Sequence, residues 1–527
     1  MKLTYRNLDE TRSFSELQKI SPVRLAAELT PERITSLSIP TAGELTFNYA
    51  ASPVGEFHIP ILQQLAQEQQ VIEKYQALID GEIMNTGESR MVLHHLTRGR
   101  LGADVVADEE NKERFYASQL RRIADFTESV HTREITGSTG KPFDTVVQIG
   151  IGGSDLGPRA LYLALLGCQT ASAVPPKMRA EFISNVDPDD AAAVLRKIDP
   201  ETTLFIVVSK SGTTQETLTN QELAVRYLKS QHIPNFNPSK HMTAVTSKTS
   251  SMAASDDFLE SFFIDENIGG RYSSTSAVGG LILSLAYGSE VFRELLSGAH
   301  ESDQRALDPD ITTNASLMDA LIGIYLRNVL DLRTSSVLPY SQALSRFPAH
   351  LQQLDMESNG KQVNRFGKPL SYKTGYTLFG EPGTNGQHSF YQHLHQGSDI
   401  TPLQFIGFST SQYSSDAEIW GSYSQQKLNA NLAAQIVAFA KGKQDENPNK
   451  RFLGERYSSL LHGRKLTPRS LGALLAHFEN KVMFQGFIWN VNSYDQEGVQ
   501  LGKKLTDSIL AGTTADPALD AYVDLLR

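Results

Sequence analysis

Three stretches of the chain set titratable or cationic side chains beside glycines: Glu266-Asn-Ile-Gly-Gly-Arg271, Gln353-Leu-Asp-Met-Glu357-Ser-Asn-Gly-Lys361 and Gly380-Glu-Pro-Gly-Thr-Asn-Gly-Gln-His388. A carboxylate that takes a carbon-bound proton, a histidine that protonates an oxygen and an arginine that stabilises developing negative charge together make a proton-transfer enzyme. Taken singly, each has a plainer use: a solvated surface charge for Glu357, a satisfied side chain for His388, a turn for Gly269-Gly270-Arg271. Spacing along the chain cannot bring them together; only a fold can.

Two other loops suit an anion. Ile149-Gly-Ile-Gly-Gly-Ser154-Asp-Leu-Gly-Pro follows a β-branched run and opens a helix, where bare N–H groups and the helix dipole favour negative charge. It is not a dinucleotide fingerprint, because Asp155 stands where Gly or Ala is needed and its carboxylate would repel an anionic cofactor. By itself the loop serves equally as a tight turn needing positive φ. Ser209-Lys-Ser-Gly-Thr-Thr214 also lies between a strand and a helix. Three hydroxyl-bearing side chains, free N–H groups and the Lys210 ammonium can satisfy a monophosphate without a metal. A Ser/Thr-rich helix cap is the bland alternative, but two such loops after consecutive strands favour phosphate. No Gly-x-x-x-x-Gly-Lys-Ser/Thr run occurs, so a small phosphorylated metabolite is expected before a nucleotide.

His388, His393 and His395 lack the His-Glu-x-x-His pattern and a supporting cysteine cluster, so no metal is expected. From Asn492 the chain reads as a turn entering a helix. Gln496 and Lys503 share a face if that helix has begun, the alternative being an amphipathic surface helix with Lys503 in water.

The elements that must position these residues alternate. Thr145–Ile149, Glu181–Ser184 and Thr202–Ser209 read as short apolar strands, each followed by a helical pattern: Leu156 to Leu166, the Ala-rich run after Asp187, and Gln215 to Leu228. Such alternation implies a parallel sheet covered on both faces. A helix with Ser316 as its cap leads to a second α/β block, with strands at Ser335–Tyr340 and Leu403–Phe408, a helical stripe from Leu428 to Phe439, and Thr467-Pro468 as a cap with proline at N1. The first hundred residues read as an accessory helical layer, with helices at Ile61–Gln67 and Arg90–Arg98.

The 527 residues allow about three domains, and 49 Lys and Arg against 59 Asp and Glu leave a net charge of −10. That balance disfavours nucleic acid and anionic membranes as partners. The one cysteine, Cys168, can form no internal disulfide and reads as a core residue of a protein in a reducing, cytoplasmic setting. The charged N-terminus lacks the apolar core of a signal peptide, and the most apolar stretch, Ala277 to Tyr287, is too short to cross a bilayer.

In order along the chain, Asn85-Thr-Gly-Glu-Ser-Arg-Met-Val-Leu-His94, Gly140-Lys-Pro, the Ile149–Pro158 loop, Ser184-Asn-Val-Asp187, Ser209 to Glu216, Gly269 to Ser273, Met356 to Lys361, Gly380 to His388, Gln496 and Lys503 resemble the phosphoglucose isomerase family. The resemblance implies two flavodoxin-like sugar-isomerase (SIS) sandwiches with helical additions, divided as 1–100, 101–290, 291–510 and a tail at 511–527. It implies reversible isomerisation of glucose 6-phosphate and fructose 6-phosphate in glycolysis and gluconeogenesis, with no cofactor. Glu357 looks like the base that moves the proton between C2 and C1 through a cis-enediol(ate), and Arg271 like the group that stabilises it. His388 looks like the ring-opening acid/base oriented by Glu216, and Lys503 like the lysine near the ring oxygen. Ser209, Lys210, Ser211 and Thr214 would hold the phosphate, with Ser154, Gln353 and Gln496 completing the sugar pocket. The histidine reaches the site from a neighbouring subunit in this family, which implies a homodimer with shared sites. Tyr494-Asp-Gln-Glu-Gly-Val-Gln500 departs from the family's usual Phe-Asp-Gln-Trp-Gly-Val-Glu order, and Asn85-Thr-Gly-Glu from Asn-x-Thr-Glu, without removing any of these side chains. A non-catalytic sugar-phosphate sensor of the same fold is the alternative; a nucleotide-dependent kinase or dehydrogenase lacks both fingerprints.

Overall fold

Two sheets organise the chain in the computed structural model, which describes residues 2–171, 176–413 and 415–527. The first has five parallel strands in the spatial order Arg179–Ile183, Thr145–Ile149, Thr203–Val208, Met242–Thr246, Glu260–Phe263. The three inner strands are buried at every residue, as their largely apolar character requires of a sheet covered on both faces. The strand order is the flavodoxin-like one, whose direction of winding reverses between Thr145–Ile149 and Thr203–Val208.

The second sheet also has a parallel core, Ser458–Gly463, Leu403–Phe408, Thr334–Tyr340 and Thr377–Phe379. The N-terminal segment adds an antiparallel hairpin, Ser38–Pro40 and Thr46–Asn48, to the edge at Ser458–Gly463. Those first hundred residues are therefore more than a helical layer: they close a sheet edge that would otherwise stay open. Pro40 lies on the outermost strand, where its missing N–H breaks no ladder bond.

The helix Pro468–Trp489 runs through the middle of the molecule, buried along nearly its whole length, with Thr467 accepting from the Ser470 N–H at its start. It crosses Ser289–Arg305 backbone to backbone. A Cβ on Gly472 would lie 1.8 Å from the Leu295 carbonyl oxygen, and one on Gly298 1.8 Å from that of Arg469. The apolar stretch Ala277–Tyr287 is a helix buried on all sides, and among the described residues no helix is long and apolar enough to cross a membrane.

Two sequence expectations fail because distant partners take the groups concerned. Arg90–Arg98 is not a helix. Asn85 and Arg90 exchange backbone bonds as an antiparallel bridge, Met91 and Leu93 donate to Asn267, and only His94–Thr97 forms a short 3-10 turn. Ser316 does not cap Ala315–Ile324: Asn314 accepts from the Leu317 N–H, while the Ser316 hydroxyl meets His477 Nδ1 at 3.2 Å. Cys168 is only partly buried, its thiol near the Leu466 carbonyl and the Gln412 amide.

Candidate active site

In an open doubly wound sheet, ligands bind outside the carboxyl ends of the strands where the winding reverses. Here those ends belong to Thr145–Ile149 and Thr203–Val208, and the loops leaving them are Gly150–Asp155 and Ser209–Thr214. Both border a cleft of about 750 Å³. Ser154, Ser209, Lys210, Ser211 and Thr214 line its first-sheet side together with Glu216. Gln353, Glu357, Gln496 and Lys503 line the other. Thus ten of the twelve side chains singled out from the sequence converge although they span 350 residues.

The Ser209 loop is tightly braced. Ser209 Oγ donates to Thr214 Oγ1 at 3.0 Å and accepts from the Gly212 N–H at 3.1 Å. Gly212 has φ +70°, and a Cβ there would lie 2.1 Å from Ser250 Oγ, so both conformation and space require glycine. Thr214 precedes the sixteen-residue helix Gln215–Ser230 but its side chain caps no N–H of that helix. The loop therefore presents hydroxyls and an uncapped helix start to the cleft, an arrangement that attracts an oxyanion.

Lys210 departs from expectation. Its ammonium does not turn to the loop's own hydroxyls but donates to the carbonyls of Glu266 at 2.7 Å and Ile268 at 3.0 Å, with the Glu266 carboxylate at 3.6 Å. Desolvation in this position lowers its pKa, partly offset by Glu266. Asp155 also departs from expectation. Its carboxylate is buried, bonded to Arg159 Nε at 2.7 Å, and does not line the cleft, so it does not repel an anion there. Burial nevertheless raises its pKa, against the pull of Arg159.

Across the cleft, Glu357 ends the π-helical turn Gln353–Glu357. Its Oε2 accepts from Arg271 Nη1 at 3.1 Å. Arg271 is 1% exposed, and every nitrogen of its guanidinium is occupied: Nε donates to Ser358 Oγ at 2.7 Å, Nη1 also to Gln496 Oε1 at 3.3 Å, and Nη2 to the carbonyls of Ser493 and Asp495. This rigid fork fixes the carboxylate and the Gln496 carboxamide in one plane of contacts. Gln353 Oε1 is buried without a partner among the described residues, an acceptor held at the cleft wall. The arrangement offers a partly exposed base backed by a buried cation, facing a polar wall.

His388 is not in this cleft. It ends the short turn Asn385–His388 and is exposed. Neither of the neighbouring histidines lines the cleft: His395 stacks on Phe439 and bonds Gln435, and His393 lies in the same helix, Tyr391–Gln396. A second cleft, of about 1010 Å³, adjoins the first, with Gln353, Glu357 and Gln496 lining both. Lys503 sits on the exposed helix Gln500–Leu510, while Gln496 lies before that helix begins, so helical spacing is not what brings the two together.

Ser247, Thr249 and Ser250 also line the first cleft and were missed. Their signal was present: Ser247-Lys-Thr-Ser-Ser follows the strand Met242–Thr246 as the Ser209 loop follows its own.

The fold and the cleft define a doubly wound α/β protein with a polar site at its topological switch point. The phosphoglucose isomerase family model matches residues 48–522. A glucose-6-phosphate isomerase of Treponema denticola is 57% identical over 99% of this chain and 100% of its own, and one of Borreliella afzelii 46% identical over 99% and 98%. The crystal structure of a glucose-6-phosphate isomerase from Chlamydia trachomatis superposes with a TM-score of 0.92 at 42% identity, covering 99% of both chains. The chain belongs to the phosphoglucose isomerase family.

Proposed function

We propose that the chain interconverts glucose 6-phosphate and fructose 6-phosphate by proton transfer, in the cytoplasm, as a step of glycolysis and gluconeogenesis. The observation that carries this reading is the bond between Glu357 and Arg271 at 3.1 Å, opposite a hydroxyl-rich loop at a helix start. Phosphate is held by Ser209, Ser211, Thr214 and the first turn of Gln215–Ser230, with Ser154, Gln353 and Gln496 around the sugar. Glu357 takes the proton from C2 of the open-chain sugar as the C1 carbonyl becomes an enediolate oxygen, and Arg271 stabilises the charge that develops. The proton then returns to C1 while the C2 hydroxyl becomes the new carbonyl and its proton passes to the C1 oxygen, which becomes the ketose hydroxyl, so nothing is gained or lost overall.

Ring opening needs a second acid/base. His388, delivered by another copy of the chain, fills this role beside Glu216 and Lys503; its exposure, and the second open cleft that Glu357 also lines, support a homodimer with shared sites. A purely regulatory sugar-phosphate binder would have no use for a partly exposed carboxylate braced by a buried guanidinium. The test is Glu357→Gln, which should abolish exchange of the C2 proton with solvent while a sugar-phosphate analogue still binds. Undiminished exchange, or no fructose 6-phosphate formed by the unaltered protein in a coupled assay, would overturn the assignment.

A further inference from the structure

An ammonium has three protons, and the three contacts of Lys210 Nζ all lie on one neighbouring segment: the carbonyls of Glu266 and Ile268, and the Glu266 carboxylate. That segment runs directly into Gly269-Gly270-Arg271. Its other side is tied down independently: Asp265 accepts from the Asn267 backbone and side chain and pairs with Lys112 at 2.9 Å, and Asn267 accepts from Met91 and Leu93. The Lys210 main chain is anchored as well, its carbonyl accepting from the Ser247 N–H.

We propose that Lys210 is a positioning residue that couples occupancy of the phosphate loop to the placement of Arg271 and Glu357, rather than the counter-charge of the phosphate. The inference rests on the phosphate reading of the Ser209 loop. When an oxyanion settles on the hydroxyls and the helix start, the loop moves as a braced unit, because Ser209, Gly212 and Thr214 are bonded to one another. Lys210 carries that movement to residues 266–271 through two carbonyl bonds on residues two apart. Arg271, whose guanidinium spans Ser358, Glu357 and Gln496, then carries it to the base. The substrate's phosphate thereby helps to organise proton transfer at the other end of the sugar, a use of remote binding energy at the reacting centre.

The role separates from that of a counter-charge in two measurements. A counter-charge lost in Lys210→Met would weaken inorganic phosphate binding and raise KM with little change in kcat. A strut lost there should lower kcat by about 10²-fold, the cost of a small misplacement of reacting groups, while the dissociation constant for inorganic phosphate changes less than about threefold. Amide hydrogen exchange reports the coupling without activity. In the unaltered protein, inorganic phosphate should slow exchange at both 209–214 and 266–271; in Lys210→Met only the first segment should respond. Lys210→Arg, which keeps donors for the two carbonyls, should restore the response at 266–271 and guards against a fold lost in the methionine variant. If phosphate protects 209–214 but never 266–271 in the unaltered protein, or if Lys210→Met loses phosphate affinity and keeps kcat, the coupling is wrong. If phosphate fails to protect 209–214 at all, the phosphate reading itself falls, and the coupling with it.

Discussion

A Cβ added to Gly153 would lie 2.2 Å from both the carbonyl carbon and the carbonyl oxygen of Gly270, so the loop after the first inner strand and the loop that delivers Arg271 touch backbone to backbone. Gly153→Ala must push them apart by an appreciable fraction of an ångström, and Arg271 follows Gly270 directly. We expect kcat to fall by about 10-fold to 10²-fold with the far-ultraviolet circular dichroism unchanged. Steady-state kinetics that match the unaltered protein would show that the contact does not position the arginine.

Arg271 makes five hydrogen bonds from a buried guanidinium, and no ammonium can reproduce that fork. Arg271→Lys should therefore lower kcat by about 10²-fold to 10³-fold, the usual loss when one electrostatic stabiliser of the transition state is removed. It should also cost about 3 kcal/mol in urea unfolding, because carbonyl acceptors are left buried without donors. Equal catalysis by the lysine variant would remove Arg271 from the proposed chemistry.

Shared sites make a numerical prediction. Glu357→Gln and His388→Ala should each be nearly inactive. If subunits are mixed in equal amounts and allowed to exchange, half of the dimers are hybrids, and each hybrid has one site with both groups intact. Activity should rise to about a quarter of that of the unaltered protein. No recovery, with exchange verified by a tag on one variant, would place both groups in sites built from a single chain.

The core holds a pH-sensitive element that does not line the cleft. Arg98, Asp303 and Glu479 form a fully buried ion cluster, and Glu479 Oε1 has no partner among the described residues. Burial raises the Glu479 pKa from its ordinary value near 4.5 to about 7, although Arg98 pulls it down. A carboxyl whose folded pKa is raised binds more protons in the folded state. Its contribution to stability is thus full below about pH 4.5, declines as pH climbs towards about 7, and is flat beyond. Glu479→Gln should flatten the dependence of the urea midpoint on pH between those values. A slope unchanged by the substitution would assign the pH dependence elsewhere.

Much of the first sheet was legible from local pattern. Thr145–Ile149 and Thr203–Val208 announced themselves as short β-branched runs, and the glycines and hydroxyls that follow them marked the cleft floor, because a parallel strand buried on both faces needs continuous apolar residues and its exit needs turn residues. Where the local pattern was overridden, the reason was a distant partner. Arg90–Arg98 has helical periodicity, but Asn267, some 175 residues on, takes its backbone donors. The N-terminal hairpin was invisible because Thr46–Asn48 is three residues long and is a strand only by virtue of its pairing with Ser38–Pro40 and with Leu460–His462.

By itself, then, the sequence determined the alternation of strands and helices, the chemical character of the Ser209 loop and, through ordered motifs, the family. Only the tertiary structure decided that Arg271 meets Glu357 across 86 residues of chain, that the Lys210 ammonium turns to Glu266 and Ile268, that Asp155 is neutralised away from the cleft, and that His388 stands outside the cleft of its own chain. The division is physical. Strand and helix propensity and turn chemistry act within a few residues and are written as periodicity, whereas contacts between distant side chains arise only after loops close and elements pack, and the linear spacing of residues carries no record of that geometry.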